Sequence, residues 1–252
     1  MENKHTPVMI DEIISFIPKN KSINVIDATF GGGGYSKKIL HNFKVSQLLA
    51  IDRDPISITL SCDIKAHYKN FTLVNDKFSN IDRIVEQSKI IDKKFDIIVY
   101  DLGTSSNQID NSERGFSFSK KGPLDMRMGL TDKNAFDIIN NYDEKNLANI
   151  IFKYGEERYS KKIAKEIVKN RKIKFISNTS QLSEIVKKCL PKKNFINKKI
   201  HPATKTFQAL RIYINDELNE LKKSLEKTIY LLNPNGLILV VSFQSLEDRI
   251  VK

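Results

Sequence analysis

Four consecutive glycines, Gly31 to Gly34, stand between a short apolar segment that ends at Asp27 and a helical pattern. A run of glycine permits positive φ angles and lets a ligand lie against the main chain, because no Cβ is in the way. Asp52 follows 21 residues after Gly31, at the end of the next apolar segment. A carboxylate at this spacing accepts hydrogen bonds from ribose hydroxyls. The two features together predict a site for a cofactor that contains adenosine.

The glycines and Asp52 fit both NAD and S-adenosylmethionine, and a plain tight turn is the structural alternative. Asp101 favours the methyl donor, because it ends the fourth apolar segment, where open α/β sheets place their chemistry. An acid there would accept the N–H hydrogens of a target amine, such as the poorly nucleophilic N4 of cytosine. Most of the acceleration would come from holding nitrogen, methyl and sulfur in line. A turn cap is the alternative role of Asp101.

Short apolar strands alternate with helical patterns through the first hundred residues. Strands are predicted at 22–27, 47–52, 71–75 and 95–101, and helices at 8–17, 35–43, 55–64 and 79–87. Strands and helices in alternation indicate an α/β fold with a parallel sheet covered on both faces. Right-handed crossovers make that sheet doubly wound. The sequence therefore predicts a Rossmann-like, mostly parallel sheet.

The next strand is predicted only at 236–243, after one long helix over about 204–231. About 135 residues separate it from the preceding strand, whereas a βαβ unit needs only about 30. The intervening patterns are helical, at 143–153, 156–170 and 179–190. We therefore expect a sheet domain formed by 1–111 and 204–252, with an inserted helical subdomain at 112–203.

Positive charge is concentrated inside the expected insertion. Residues 158–199 contain 14 lysines and arginines against two acids, Glu166 and Glu184, while the net charge of the whole chain is +12. A localised basic block indicates a polyanionic partner, with nucleic acid first. Lysines that merely solvate the surface are the alternative. The residues predicted to contact an RNA backbone are Lys192, Lys193, Lys198 and Lys199.

Other features narrow the class of protein. The two cysteines, Cys62 and Cys189, lie in no metal-binding motif, so we expect reduced thiols and no metal. No apolar run approaches the length of a bilayer span, and the N-terminus lacks the pattern of a signal peptide. The sequence thus indicates a cytoplasmic protein without a membrane partner, and it leaves a homodimer open.

Several stretches resemble the bacterial small-subunit rRNA cytosine-N4 methyltransferase family (RsmH/MraW type). They are H-T-P-V-M (5–9), D-A-T-F-G-G-G-G (27–34), A-I-D-R-D-P (50–55), D-L-G-T-S-S-N-Q (101–108), E-R-G-F-S-F (113–118), G-P-L-D-M-R-M (122–128), Y-G-E-E-R (154–158), H-P-A-T-K-T-F-Q-A-L-R-I (201–212) and S-F-Q-S-L-E-D-R (242–249). The stretches at 122–128 and 201–212 are the most specific, whereas the glycine loop alone is weakly specific.

The resemblance implies S-adenosylmethionine-dependent methylation of the N4 amine of a cytosine in the decoding region of 16S rRNA. It also implies a class I methyltransferase domain whose inserted helices recognise RNA. The implied cofactor contacts are Gly33, Gly34, Tyr35, Asp52, Phe78, Asp101 and Gln108. The alternatives are an RNA-binding or assembly factor on a methyltransferase scaffold and a nicotinamide-dependent oxidoreductase.

The loops within these stretches supply further candidates, each with a structural alternative. Asp101, Asp125 and Arg127 are the candidate catalytic residues, although Asp125 and Arg127 would also make an internal ion pair. Phe116 and Phe118 are candidates for stacking on a flipped-out base, with core packing as the alternative. His201 is a candidate for the substrate pocket, or a capping histidine.

Three positions depart from the family pattern. Tyr35 and Gln244 stand where the family usually has histidine. We therefore assign no general base at Gln244, because an amide does not accept a proton near neutral pH. The chain stops at Lys252, where the family continues, and we expect an open sheet edge unless another element covers it.

Overall fold

The computed structural model describes residues 7–191 and 201–252. The chain divides into two compact units, Met1–Ser106 with Leu218–Lys252 and Asn107–Glu217. The second unit begins five residues before the expected insertion and ends 14 residues after it. It extends further because the helix Thr204–Asn215 packs closely on the helix Glu144–Gly155. A Cβ at Gly155 would lie 2.4 Å from the carbonyl oxygen of Lys205, so glycine permits this approach.

The first unit contains a sheet of five strands. They are β1 Ile23–Asp27, β2 Val45–Asp52, β3 Phe71–Asn75, β4 Phe95–Asp101 and β5 Leu232–Val241. Their order is β3-β2-β1-β4-β5, and every neighbouring pair is parallel. The predicted Rossmann-like, doubly wound α/β fold is confirmed, and β5 forms one edge of the described sheet.

The helices in chain order are α1 Ile10–Ser15, α2 Gly34–Asn42, α3 Ile56–Leu60, α4 Cys62–His67, α5 Ile81–Gln87, α6 Ser106–Asp110, α7 Ala135–Asn141, α8 Glu144–Gly155, α9 Ser160–Arg171, α10 Thr179–Cys189, α11 Thr204–Asn215, α12 Glu217–Thr228 and α13 Ser245–Val251. Successive side chains of a strand point to opposite faces. Val25 of β1 therefore packs with Ile13 and Ile39 on one face, and Ile26 with Ile81 and Leu221 on the other.

The long helix predicted over about 204–231 is wrong. The structure has two helices, α11 and α12, and Asp216 between them adopts a left-handed conformation with φ 52°. Aspartate tolerates this region better than most residues. The helix predicted at 55–64 is likewise two short helices, α3 and α4, separated at Ser61.

Strand β5 starts four residues before the predicted position, because the N-P-N-G segment, predicted as a turn, forms a bulge within the strand. Leu232 lies opposite Phe95 and Leu237 opposite Ile97, so the register shifts between them. A bulge places extra residues on one strand and bends it. The strand still delivers its last residue, Val241, opposite Asp101.

The second unit has its own apolar core, formed by helices α7 to α11 and the segment before them. The fully buried members include Ile139, Leu147, Ile163, Ile167, Leu182 and Leu210. A side chain caps the N-terminus of three of these helices. Asn134, Asp143 and Asn178 each accept a backbone N–H from the first turn of α7, α8 and α10.

Candidate active site

Three aspartates end three neighbouring strands of the first unit. Asp27 ends β1, Asp52 ends β2 and Asp101 ends β4. Because Asp27 lies opposite Ala50 and Val99, both other carboxylates are two residues further along their strands. The carboxyl ends of parallel strands are where open α/β sheets bind ligands. The three acids therefore define the candidate site.

Asp52 holds the glycine loop. Its Oδ2 accepts the N–H of Gly31 at 2.6 Å, and its Oδ1 accepts the N–H of Asp54 at 2.8 Å. Burial raises the pKa of Asp52 to about 6, although these hydrogen bonds act in the opposite direction. An ionised carboxylate has about four acceptor positions. Asp52 therefore keeps acceptor capacity for the ribose hydroxyls that the sequence predicts.

The glycine loop is shaped by its own surroundings as well as by backbone freedom. Gly31 and Gly33 have φ angles of 53° and 78°, in the region that favours glycine. A Cβ at Gly33 would lie 2.7 Å from Cζ of Phe30, and one at Gly34 would lie 2.3 Å from Cγ of Pro7. Contacts within the protein thus explain Gly33 and Gly34, and their contact with a cofactor stays a prediction.

Tyr35 occupies the first turn of α2 and is 3% exposed. Its hydroxyl donates to the carbonyl oxygen of Val8. Burial, followed by the charge of Asp101, raises the pKa of Tyr35 above its ordinary value. The side chain is therefore a neutral donor that ties α2 to the segment before α1. Only the backbone of Tyr35 is left for the cofactor contact that the sequence predicts.

Asp27 is a site residue that the sequence analysis did not propose. It is 1% exposed, and it accepts the Ser36 hydroxyl at 2.6 Å and the Thr29 N–H at 3.3 Å. Burial raises its pKa to about 6. The available signal was its position, since it ends an apolar segment four residues before Gly31.

Asp101 is held by its backbone while part of its carboxyl group has no partner. Its N–H donates to the Thr29 hydroxyl oxygen at 2.6 Å. Its Oδ1 is buried and accepts no hydrogen bond from any described residue. Burial raises the pKa of Asp101 to about 7, and the charge of Asp27 adds to this rise. Such a carboxyl group is ready to accept a hydrogen bond from a ligand.

Phe78 lies in a short 3-10 turn after β3, and α12 fixes that turn. The ring meets Tyr100 edge-on, with centroids 5.8 Å apart. The carbonyl oxygen of Phe78 accepts the Ser224 hydroxyl at 2.9 Å. Next to it, the Ser79 hydroxyl donates to the buried carboxylate of Glu220 at 2.5 Å. No local pattern indicates Glu220 or Ser224, because they reach this turn from about 140 residues away.

Asp125 and Arg127 form a bidentate ion pair in the second unit. Nε of Arg127 donates to Oδ1 of Asp125 at 2.7 Å, and a terminal guanidinium nitrogen donates to Oδ2 at 2.9 Å. Hydrogen bonds from Arg127 hold the pKa of Asp125 below its usual value despite partial burial. The buried amide of Asn215 fixes the same loop by bonding the backbones of Met126 and Met128.

The predicted base-stacking residues already have partners in the second unit. Phe116 is 9% exposed and lies in the apolar core, beneath the guanidinium of Arg114. The ring of Phe118 stacks on His201 with centroids 4.3 Å apart. Nδ1 of His201 accepts the N–H of Ala203, which is the predicted capping role. Packing thus accounts for Phe116, and a substrate role for Phe118 and His201 stays a prediction.

The remaining candidates are placed as follows. Gln108 is 5% exposed in α6, within the second unit. Gln244 is the N-cap residue of α13, but its side chain makes no capping hydrogen bond. Its amide nitrogen donates to a carboxylate oxygen of Glu247 at 2.9 Å. Lys192, Lys193, Lys198 and Lys199 lie outside the described residues.

The described residues contain neither a membrane-spanning helix nor a metal-binding cluster. No helix among residues 7–191 and 201–252 is long and apolar enough to cross a membrane. In the same ranges, no group of three or more histidine, cysteine or acidic side chains is arranged to hold a metal ion.

The chain matches the MraW methylase family over residues 2–252. It is 47% identical to the ribosomal RNA small subunit methyltransferase H of Rickettsia bellii strain RML369-C, covering 100% of this chain and 80% of that protein. The protein of the same name from Xanthobacter autotrophicus is 45% identical, over 99% of this chain and 71% of the relative. A solved rRNA methylase from Streptococcus thermophilus is 16% identical over 48% of this chain and 70% of its own, with a TM-score of 0.31.

A match over nearly the whole length, together with three acids at the ends of adjacent parallel strands, leads to one conclusion: the chain belongs to the MraW methylase family.

Proposed function

We propose that the protein transfers a methyl group from S-adenosylmethionine to the N4 amine of a cytosine in the decoding region of 16S rRNA. Relatives that share almost half of its residues carry the name ribosomal RNA small subunit methyltransferase H. The observation that carries the chemistry is the buried, unpartnered Oδ1 of Asp101 at the end of a central strand.

The acidic site fits a cofactor of this kind. S-adenosylmethionine supplies an electrophilic methyl group on a positively charged sulfur. Asp27, Asp52 and Asp101 surround the glycine loop with carboxyl groups, and burial raises the pKa of all three. A nearby positive charge stabilises the ionised form of a buried carboxyl. We propose Gly33, Gly34, Tyr35, Asp52, Phe78, Asp101 and Gln108 as the cofactor contacts.

Asp101 has the role that the target amine requires. The lone pair of the cytosine N4 amine is delocalised into the ring, which makes the nitrogen a weak nucleophile. A carboxylate that accepts one N–H returns electron density to the nitrogen as the new N–C bond forms, and it can receive the proton that the nitrogen then loses. Thr29 holds the backbone of Asp101, so the carboxyl group stays directed by a fixed strand end.

The second unit would bind and orient the RNA. We propose that Asp125 and Arg127 fix the loop at 122–128, and that Phe118 and His201 lie near the target base. The basic residues of 158–199 would hold the phosphate backbone, since such contacts position RNA without reading its sequence.

Methyl transfer to small ribosomal subunits tests the proposal. Subunits that lack the modification are incubated with the protein and labelled S-adenosylmethionine, and their nucleosides are separated by mass spectrometry. We expect label in N4-methylcytidine for the wild-type protein and a loss of at least 100-fold for Asp101→Ala, a range typical of acid–base groups. RNA binding without any label would favour an assembly factor, and binding of NADH in place of S-adenosylhomocysteine would favour an oxidoreductase.

A further inference from the structure

Helix α9 and its C-cap residue carry a line of lysines on the solvent side. Lys161, Lys165, Lys169 and Lys172 are all exposed and follow one another at intervals of four, four and three residues. With 3.6 residues per turn, these intervals keep them on one side of the helix. The opposite side, with Ile163 and Ile167, is fully buried in the core of the second unit. We call the four residues the lysine row.

The chain turns at the end of the lysine row and exposes two apolar side chains. Ile173 is 85% exposed and Phe175 is 64% exposed, with the exposed Lys174 between them. The turn is fixed, because the N–H groups of Ile173 and Lys174 both donate to the carbonyl oxygen of Asn170. We call residues 173–175 the apolar tip. Large apolar side chains exposed side by side often mark an interaction surface.

Phe175 keeps a ring face available. Its ring meets Phe136 edge-on, with centroids 6.1 Å apart and an interplanar angle of 65°. A tilted edge contact fixes the direction of the ring while most of its surface remains exposed. An aromatic ring supported in this way is a platform on which a nucleic-acid base can stack.

The charge around the lysine row is almost entirely positive. Between residues 158 and 174 there are eight lysines and arginines and a single acid, Glu166. No lysine of the row forms an ion pair with a carboxylate in the described ranges. Eleven residues of helix span about 16 Å, which is enough for several consecutive phosphates.

We propose that the lysine row and the apolar tip bind a single-stranded RNA segment, with phosphates along the row and an unpaired base on Phe175. The inference rests on the proposed function, because it assigns the surface through which the RNA substrate is held. A single strand fits better than a duplex, since paired bases are not available for stacking on a side chain. A basic helix with an apolar end can also lie on anionic lipid, and the test below includes that outcome.

Fluorescence anisotropy with a labelled 12-nucleotide single-stranded RNA measures this binding over a range of salt concentrations. The triple variant K161Q/K165Q/K169Q should lower the slope of log affinity against log salt by about 2, given about 0.7 per phosphate contact on single strands. Phe175→Ala should weaken binding roughly 5- to 100-fold without changing the slope, because it removes stacking alone. The controls are K222Q/K223Q and Phe16→Ala, which change exposed residues of the first unit and should leave RNA binding unchanged.

Other measurements separate the possible failures. Thermal unfolding and S-adenosylhomocysteine affinity of each variant verify that the fold and the cofactor site are intact. If the triple variant and Phe175→Ala bind the RNA like the wild type while the wild type methylates subunits, the inference is overturned and the proposed function stands. If the wild type transfers no methyl group, the proposed function fails. The variants are also compared with the wild type on vesicles of phosphatidylcholine and phosphatidylglycerol. If they lose binding to the vesicles while their affinity for RNA is unchanged, the surface binds lipid and the inference is overturned.

Discussion

The hydroxyl oxygen of Thr29 accepts the backbone N–H of Asp101 at 2.6 Å. The N–H of Thr29 in turn donates to the buried carboxylate of Asp27 at 3.3 Å. Thr29, two residues before Gly31, therefore links the ends of β1 and β4. One threonine thus holds the backbone of the proposed catalytic residue next to the segment that leads into the glycine loop.

Replacing Thr29 with valine should slow methyl transfer. Valine keeps the shape but leaves the Asp101 N–H without its acceptor, which costs about 1–3 kcal/mol. We expect kcat to fall roughly tenfold, while affinity for S-adenosylhomocysteine changes little. Thr29→Ser retains the hydroxyl and should restore kcat. Equal rates for the valine and serine variants would mean that the contact has no part in positioning Asp101.

The pH profile of kcat/KM for S-adenosylmethionine should report Asp101, because this parameter follows the ionisation of the protein without its cofactor. Its pKa is raised to about 7, so the carboxylate that accepts the amine N–H forms as the pH rises through 7. The value of kcat/KM should increase from pH 6 to pH 8 and then become constant. Asp27→Asn removes a charge that raises this pKa, so its midpoint should move to lower pH. An unchanged midpoint in that variant would contradict the coupling of the two acids.

Asp27 should make the fold less stable as the pH rises. Its pKa is raised from 3.8 to about 6, so between these values the folded state holds a proton that the unfolded chain has lost. Stability from this group is full below pH 4 and is lost as the pH rises through 6. Urea unfolding should show Asp27→Asn gaining about 3 kcal/mol on the wild type between pH 4 and pH 8. A constant difference would argue against the raised pKa.

Asp52→Ala should weaken cofactor binding by about 1–3 kcal/mol, because it removes a charged acceptor and frees the N–H of Gly31. Calorimetric titration with S-adenosylhomocysteine measures the loss. Asp63→Ala, an exposed acid on α4, is the matched control and should bind normally. Equal affinity in both variants would remove the ribose role of Asp52.

Asn215→Leu should destabilise the second unit. The amide is fully buried and bonds the backbones of Met126, Met128 and Arg211. An apolar side chain would leave buried peptide groups unpaired, at a cost of about 1–3 kcal/mol for each. Urea unfolding followed by limited proteolysis should show lower stability and early cleavage near residues 122–130. Resistance equal to that of the wild type would show that the loop is held by other contacts.

The strand ends could be predicted from the sequence, whereas the partners of the site residues could not. Asp52 and Asp101 each end an apolar run, so the pattern of the sequence places both at the carboxyl ends of strands. The hydroxyl of Thr29 and the carboxylate of Glu220 act across about 70 and 140 residues of chain. Such contacts depend on tertiary packing, which a local pattern does not encode.

The helix broken at Asp216 shows a second limit. Apolar positions continue at spacings of three and four on both sides of that residue, so the pattern predicts one helix. Spacing reports which face is buried but not the φ angle of each residue. The Asn-Asp pair at 215–216 was the available signal, because both residue types tolerate the left-handed region.

Pro7 fills the space that a side chain at position 34 would need, and the carbonyl of Val8 receives the Tyr35 hydroxyl. Pro7 and Val8 therefore contact and stabilise the N-terminus of α2, the helix that follows the glycine loop. An expression clone that begins at residue 9 would remove this support while leaving every strand in place. Its product would fold and yet bind the methyl donor weakly, so purification tags are better placed away from this end.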